Sequence, residues 1–541
     1  MLYRLLTGSS GGFTFRPGPG TGWTNMSDAD LPPNRPIVDA GSLSGQSGDS
    51  LAGQSSNGSL SANSDRAFDS PVRSFASSGC DRSAVGLYVH IPFCRSLCAF
   101  CPYTKVLYSD ELSRAYLGAL TVEAKAVAAR LGPRRISSIY FGGGTPMMMP
   151  DAIRMVVDLF RDRLASGAGI GVELHPQDVA PTSLGWLREA MLGTGREAGV
   201  PTTMISLGVE SLHEHTLNYL GRGYGLGKAN QTVKAAMDAG FDTVNVDVMT
   251  CIPGQSAAEA AADMRRLLRM GVGQVSAYPL MDFSFTRGRT SHSLWSQRRT
   301  LTALARAGAA EGYERSSVWT WTRPDVPKYT SITRERFIGI GASAATYLDG
   351  YFGVNTFDVR AYVEAVSKGR PPVALHSILS PQESALYWLF WRCYEGRINL
   401  DSLEAGRVRG LRGWANLARM LGLGTWTDQE TSRELAGGQC HGAESASRGS
   451  VREQVAPGAS VGVRRVRRES VSERSVRAGP VRRKALCGIF EAGKSVSGRV
   501  FHLTDNGLFL YHILERHYTR AYIGRLWAAC REAAFPQGIM L

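Results

Sequence analysis

From about residue 85 the chain alternates short β-branched and aromatic runs with longer stretches whose apolar positions recur every three or four residues. GLYVHI, ISSIYF (136–141), IGVEL (170–174), MISLGV (204–209), TVNVDVMT (243–250), QVSAYPL (274–280) and ERSSVWT (314–320) predict strands. Helices are predicted near 110–131, 150–166, 181–193, 228–239, 256–270 and 297–311. Repeated strand–helix units of this length imply parallel strands with crossover helices, and six or so of them predict a barrel or partial barrel.

One strand carries a chemical hint. In Val244-Asn245-Val246-Asp247-Val248 valines alternate with polar residues. With helices covering the outside, the valines should pack against them, and Asn245 and Asp247 should face the interior. A carboxylate placed there calls for a partner or a ligand.

The flanks have a different texture. Residues 1–79 are rich in Gly, Ser, Asn and Pro and read as a disordered leader, with Met26 an alternative start. A barrel domain is expected over 80–350 and a helical domain over 351–435 plus 499–541. Between those two pieces, 436–498 reads as a basic low-complexity insertion centred on VRRVRRES.

Charge and cysteine usage narrow the class. Of the net charge of +14, residues 441–500 supply +8, from thirteen Lys/Arg against five Asp/Glu. The excess is therefore local, and a nucleic-acid partner is not expected. No apolar run approaches a membrane span, and the short apolar start is no secretory signal, so a cytoplasmic protein is expected. Nine cysteines in 541 residues make no disulfide scaffold, but three of them cluster, as in a metal site of a reducing compartment.

Those three are Cys94, Cys98 and Cys101, on the loop after the first predicted strand. The active end of a βα barrel is the one where its strands run out into loops. Three thiolates leave one corner of an iron–sulfur cube without a protein donor, and an open position is what catalytic metal sites keep. A zinc site needs a fourth donor, for which His90 is the only near candidate. A second signal is Gly142-Gly143-Gly144-Thr145-Pro146 after strand 136–141, where glycines allow close approach of a ligand.

Tyr88-x-His90-x-Pro92-Phe93-Cys94-x3-Cys98-x-Phe100-Cys101 followed by GGGTP resembles the radical S-adenosylmethionine (SAM) superfamily, in its oxygen-independent coproporphyrinogen III oxidase-like branch. ISLGVESLHEHTLNYLGRGY (205–224), VNVDVMTCIPGQ (244–255) and FIGIGASA (337–344) agree. The resemblance implies an α/β fold: a partial (β/α)6 TIM-type barrel with a mainly helical C-terminal domain. It implies a 4Fe-4S cluster on Cys94, Cys98 and Cys101, one or two SAM molecules, and an external one-electron donor such as flavodoxin or ferredoxin. Tyr88, Phe100, Gly143, Gly144, Thr145, Glu173, Glu210, Arg222 and Asp247 are the SAM-binding positions it implies. Glu210 departs from the branch, which often has glutamine there.

The branch implies reductive cleavage of SAM to a 5′-deoxyadenosyl radical, with three outcomes. Oxidases of coproporphyrinogen carry a further cysteine past the triad, where this chain has Pro102 and Tyr103, and residues 27–79 contain no tyrosine. Methyl or methylene transfer to a small aromatic or heterocyclic substrate is therefore the expected reaction, by elimination. Haem chaperones share the bare triad, and His175, His213 and His215 are the histidines available to hold haem.

Overall fold

The computed structural model describes residues 84–98, 100–193, 201–281, 293–330, 336–428 and 499–518. The leader 1–79 and the insertion 436–498 lie outside the described residues.

Six strands form the centre: β1 (Val85–Ile91), β2 (Ile136–Gly143), β3 (Leu164–Leu174), β4 (Thr202–Glu210), β5 (Thr243–Thr250) and β6 (Gln274–Pro279). Each is hydrogen-bonded in parallel to the next, in chain order. Crossover helices include Asp110–Arg130, Pro150–Phe160, Pro181–Leu192, Leu226–Asp238 and Ala257–Arg269. Ala257–Arg269 shows why such segments are helical. Ser256 and Glu259 form a reciprocal capping box, and Ala260, Ala261, Met264, Leu267 and Leu268 bury one face.

The sheet continues past both ends of the six. On the β6 side come β7 (Glu314–Ser317) and β8 (Thr320–Thr322), a hairpin antiparallel to β6. On the β1 side come β9 (Phe337–Ile340), parallel to β1, then β10 (Ala345–Leu348), β11 (Tyr351–Asn355) and β12 (Val373–Ile378). The order is β12-β11-β10-β9-β1-β2-β3-β4-β5-β6-β8-β7, so the barrel stays open between its end strands.

Three expectations change. The helix expected to 166 stops at Phe160, takes one 3-10 turn and becomes β3 at Leu164, which pairs with Ile136. Pairing with β2 overrides a helical spacing that Leu164 happens to continue. ERSSVWT is not one strand: it breaks at Val318-Trp319, which are buried in the core, and returns antiparallel. Residues 351–428 are mainly helical but also carry β11, β12 and strands of a separate small sheet.

That small sheet is antiparallel, ordered Arg397–Asn399, Arg499–Leu503, Gly424–Asp428. Helices Pro381–Glu395, Leu403–Arg407, Leu411–Met420 and Asp505–Tyr518 accompany it. Asp428 pairs directly with Arg499, so the ends of the 429–498 segment are neighbours across a strand pair. No helix among the described residues is long and apolar enough to cross a membrane.

Candidate active site

The cysteine loop is held by the strand that leads into it. Phe93–Cys94 pairs in parallel with Val106–Leu107, and Tyr108 N–H donates to Cys94 O at 3.0 Å. The loop between them returns Cys98 and Cys101 to the mouth of one cavity of about 440 Å³, which Cys94 also lines. All three are free thiols. Burial pushes the Cys94 thiol up to about 11, partly offset by Thr145, and raises Cys101 as well.

His90 is not a fourth donor. Its Nε2 lies 2.9 Å from the carbonyl of Thr104, which can only accept, so Nε2 carries the proton. Nδ1 then accepts from Tyr88 OH at 3.0 Å. Both nitrogens are used, and burial lowers the ring to about 4, keeping it neutral. Among the described residues no three His, Cys, Asp or Glu side chains are placed to share one ion. A zinc ion would need four donors on one metal, whereas in an iron–sulfur cube each of the three thiols would serve a different iron.

The glycine loop fits against this loop. Gly144 N–H donates to Ile91 O and Thr145 N–H to Phe93 O, both at 2.8 Å. A Cβ on Gly144 would sit 2.7 Å from Phe93 O and 2.9 Å from Cys94 Sγ. Gly143 has φ +119°, and a Cβ there would meet the His90 ring at 2.7 Å. The glycines thus serve close packing onto the cysteine loop, and Gly143, Gly144 and Thr145 also line the cavity.

Buried carboxyls surround the space. Glu173 accepts from Tyr140 OH at 2.7 Å and from Gly143 N–H at 3.1 Å. Asp247 accepts from Ser206 Oγ at 2.5 Å and from Asn245 Nδ2 at 2.9 Å. Glu210 sits at φ 68°, beyond a register shift in β4, and faces Arg222 at 3.7 Å. Left-handed backbone strains a residue with a side chain, and such strain clusters at functional sites. Burial pushes Glu173 and Glu210 up to about 7 and Asp247 to about 6. An incoming cation would favour their charged forms, and SAM, with its sulfonium and ammonium groups, is one.

Arg222 is fully engaged. It donates to Tyr224 OH at 3.0 Å and Cys98 Sγ at 3.3 Å, and also to Gly208 O. It therefore braces Cys98 against β4. Phe100 lines the cavity, whereas Tyr88 stands one layer behind, orienting His90. Of the candidate haem histidines only His175 lines the cavity; His213 is paired with Asp263 at 2.7 Å and His215 lies 3.8 Å from Glu259.

Sequence reasoning missed the interior polar floor. Asn245 Oδ1 accepts from Gln274 Nε2 at 3.1 Å and Ser276 Oγ at 3.0 Å, and Gln274 Oε1 accepts from Thr322 Oγ1 at 2.9 Å. Inward alternation along β4 and β6, the reading already applied to β5, would have found Ser206, Gln274 and Ser276. It also missed the tyrosines Tyr103, Tyr140, Tyr278, Tyr329 and Tyr394 of the cavity wall, which come from five separate segments.

Comparison with known proteins agrees with this geometry. Residues 88–267 match the radical SAM superfamily. The chain is 27% identical over 315 residues to an oxygen-independent coproporphyrinogen III oxidase of Paracoccus denitrificans, covering 53% of this chain and 68% of that protein. It is 24% identical over 312 residues to the heme chaperone HemW of Bacillus subtilis, covering 55% and 80%. The solved coproporphyrinogen III oxidase of Escherichia coli shares the fold, with TM-score 0.53 at 20% identity over 63% of this chain and 83% of that one. Residues 88–267 thus form a radical SAM domain, with a 4Fe-4S cluster and S-adenosylmethionine as its cofactors, in a chain similar to the oxygen-independent coproporphyrinogen oxidases and haem chaperones.

Proposed function

We propose that the chain acts on a porphyrinogen, removing hydrogen and carbon dioxide from a propionate side chain as an oxygen-independent coproporphyrinogen oxidase does. The observation that carries this reading is one continuous cavity running from the three thiols to a wall of tyrosines, in a chain whose relatives bear haem-related names. Bound at Cys94, Cys98 and Cys101, the cluster and SAM together supply a carbon-centred radical able to take hydrogen from an unactivated carbon.

The protein's share is placement. Gly143, Gly144, Thr145 and Phe100 shape the cofactor end, and the carboxyls of Glu173, Glu210 and Asp247 meet its positive groups. Tyrosine faces flank the substrate. In the overall change a hydrogen atom leaves the propionate β-carbon, the carboxyl departs as carbon dioxide, and one electron passes to an external acceptor. A vinyl group remains. An electron donor such as flavodoxin or ferredoxin supplies the reducing electron.

A second reading is methyl or methylene transfer to a small aromatic ring. Supporting it, acidic side chains on the cavity wall (Glu173, Asp178, Glu210, Asp247, Glu515) outnumber the basic Arg95, Lys105, Arg222 and Lys328, which suits an uncharged ring better than a tetracarboxylate. One assay separates the readings. The reconstituted protein is given SAM, reductant and coproporphyrinogen III without oxygen. Carbon dioxide with 5′-deoxyadenosine supports the oxidase. No carbon dioxide, but S-adenosylhomocysteine with an aromatic substrate, supports transfer. Stoichiometric haem binding with neither product points to a chaperone.

A further inference from the structure

The three thiols do not meet equal surroundings. Cys94 Sγ has the Thr145 hydroxyl at 3.8 Å, a long and uncharged contact. Beside Cys101, Lys105 donates to the Cys101 carbonyl at 2.6 Å rather than to the sulfur. Cys98 Sγ accepts from the Arg222 guanidinium, with Nη1 at 3.3 Å. Of these three contacts, the one at Cys98 brings a charged donor to sulfur.

That guanidinium is fixed in place. Its side chain is 4% exposed, and Nε donates to Tyr224 OH at 3.0 Å while Nη2 donates to Gly208 O. Tyr224 OH is itself tied to Val209 O at 2.9 Å, and its ring centre lies 5.3 Å from the guanidinium carbon. Glu210 stands 3.7 Å away, too far to take a hydrogen bond from the fork. Arginine stays charged throughout the range in which proteins work. A buried, permanent cation with one N–H aimed at sulfur acts on whatever charge gathers there.

We propose that Arg222 is a tuning residue: its N–H bond to Cys98 Sγ raises the reduction potential of the 4Fe-4S cluster held by the triad. Reduction adds one electron from the external donor and neither forms nor breaks a bond. The added negative charge spreads onto the sulfurs, and a fixed cationic donor on one of them favours the reduced form. Arg222 therefore makes the cluster easier for an electron donor to charge. The inference holds whichever substrate fills the cavity.

The test uses the full chain, reconstituted without oxygen and free of SAM, titrated with dithionite through mediators and read by electron paramagnetic resonance. Wild type is compared with Arg222→Met, which keeps the stem but neither charge nor donor. Arg222→Lys keeps the charge without the fork. Iron content and circular dichroism check that each variant is loaded and folded. Arg222→Met should make reduction about tenfold less favourable, a potential lower by about 59 mV for one electron. Arg222→Lys should fall between Arg222→Met and wild type. A second readout needs no variant and carries the test if the substitutions prevent loading. With arginine labelled by nitrogen-15 in its guanidinium, the reduced wild type should show a nitrogen-15 coupling in pulsed spectra. Arg95 does not confuse it, because its guanidinium is held by Asp178 at 2.7 Å. Loaded variants that titrate at the wild-type potential overturn the proposal, and so does a labelled wild type without the coupling.

Discussion

At the scale of single residues, the site depends on three carboxyls held away from water. Glu173, Glu210 and Asp247 have folded-state values raised to about 7, 7 and 6, with burial the first cause. A raised carboxyl holds its proton longer folded than unfolded. Its contribution to stability is therefore greatest below the unfolded value of about 4 and is lost as pH rises through 6 to 7. The cofactor-free chain should melt several degrees lower at pH 8 than at pH 5.5 from these groups, and SAM should narrow the gap. For the same reason SAM binding expels protons, so its affinity should rise about tenfold between pH 6 and pH 8 by anaerobic calorimetry. A flat profile would show that no positive ligand meets these carboxyls. At Cys98 the expectation is simpler: Cys98→Ala should leave the chain folded but without stoichiometric cluster iron, and an iron-replete, active variant contradicts the assignment.

At the scale of elements, two loops are shaped by what lies beneath them. GGGTP owes its glycines to the cysteine loop as much as to a ligand, because Cβ atoms on Gly143 and Gly144 would strike His90 and Phe93. Gly144→Ala should therefore reduce iron content and cost about 1–3 kcal/mol, read from denaturant midpoints. FIGIGASA plays a supporting part. Gly341 has φ +102°, and a Cβ there would be 2.7 Å from His90 O. Tyr116 OH joins the two by donating to His90 O at 2.8 Å and accepting from Ala342 N–H at 2.9 Å. Glu123 closes the arrangement, accepting from Gly341 N–H, Asn355 and Tyr362 OH. Tyr116→Phe strands a buried N–H and a carbonyl, for a loss of about 1–3 kcal/mol in the melting transition. The motif was legible in the sequence; its purpose, buttressing β1 from behind, was not, because its partners lie more than two hundred residues away in the chain.

At the scale of the molecule, residues 429–498, which include the insertion, connect two paired strands. Gly424–Asp428 and Arg499–Leu503 pair along their length, with Asp428 opposite Arg499. Replacing 429–498 by a short Asn-Gly turn should therefore leave the melting temperature within a few degrees and cluster loading unchanged. A collapse of either would show that the segment does more than connect. The C-terminal helices matter differently, since Tyr394 and Glu515 bring them into the wall of the cavity.

The local chain determined most of the βα series and the cysteine triad, because period and spacing depend only on near neighbours. Val244 to Val248 alone established that Asp247 faces inward. What the tertiary structure decided was everything requiring two distant segments: β3 beginning at Leu164, the hairpin at Val318-Trp319, Arg222 against Cys98, and Tyr88 turned to His90 rather than to the cavity. Each of these is set by a partner that sequence distance conceals, and pairing and burial outweigh local preference wherever the two compete.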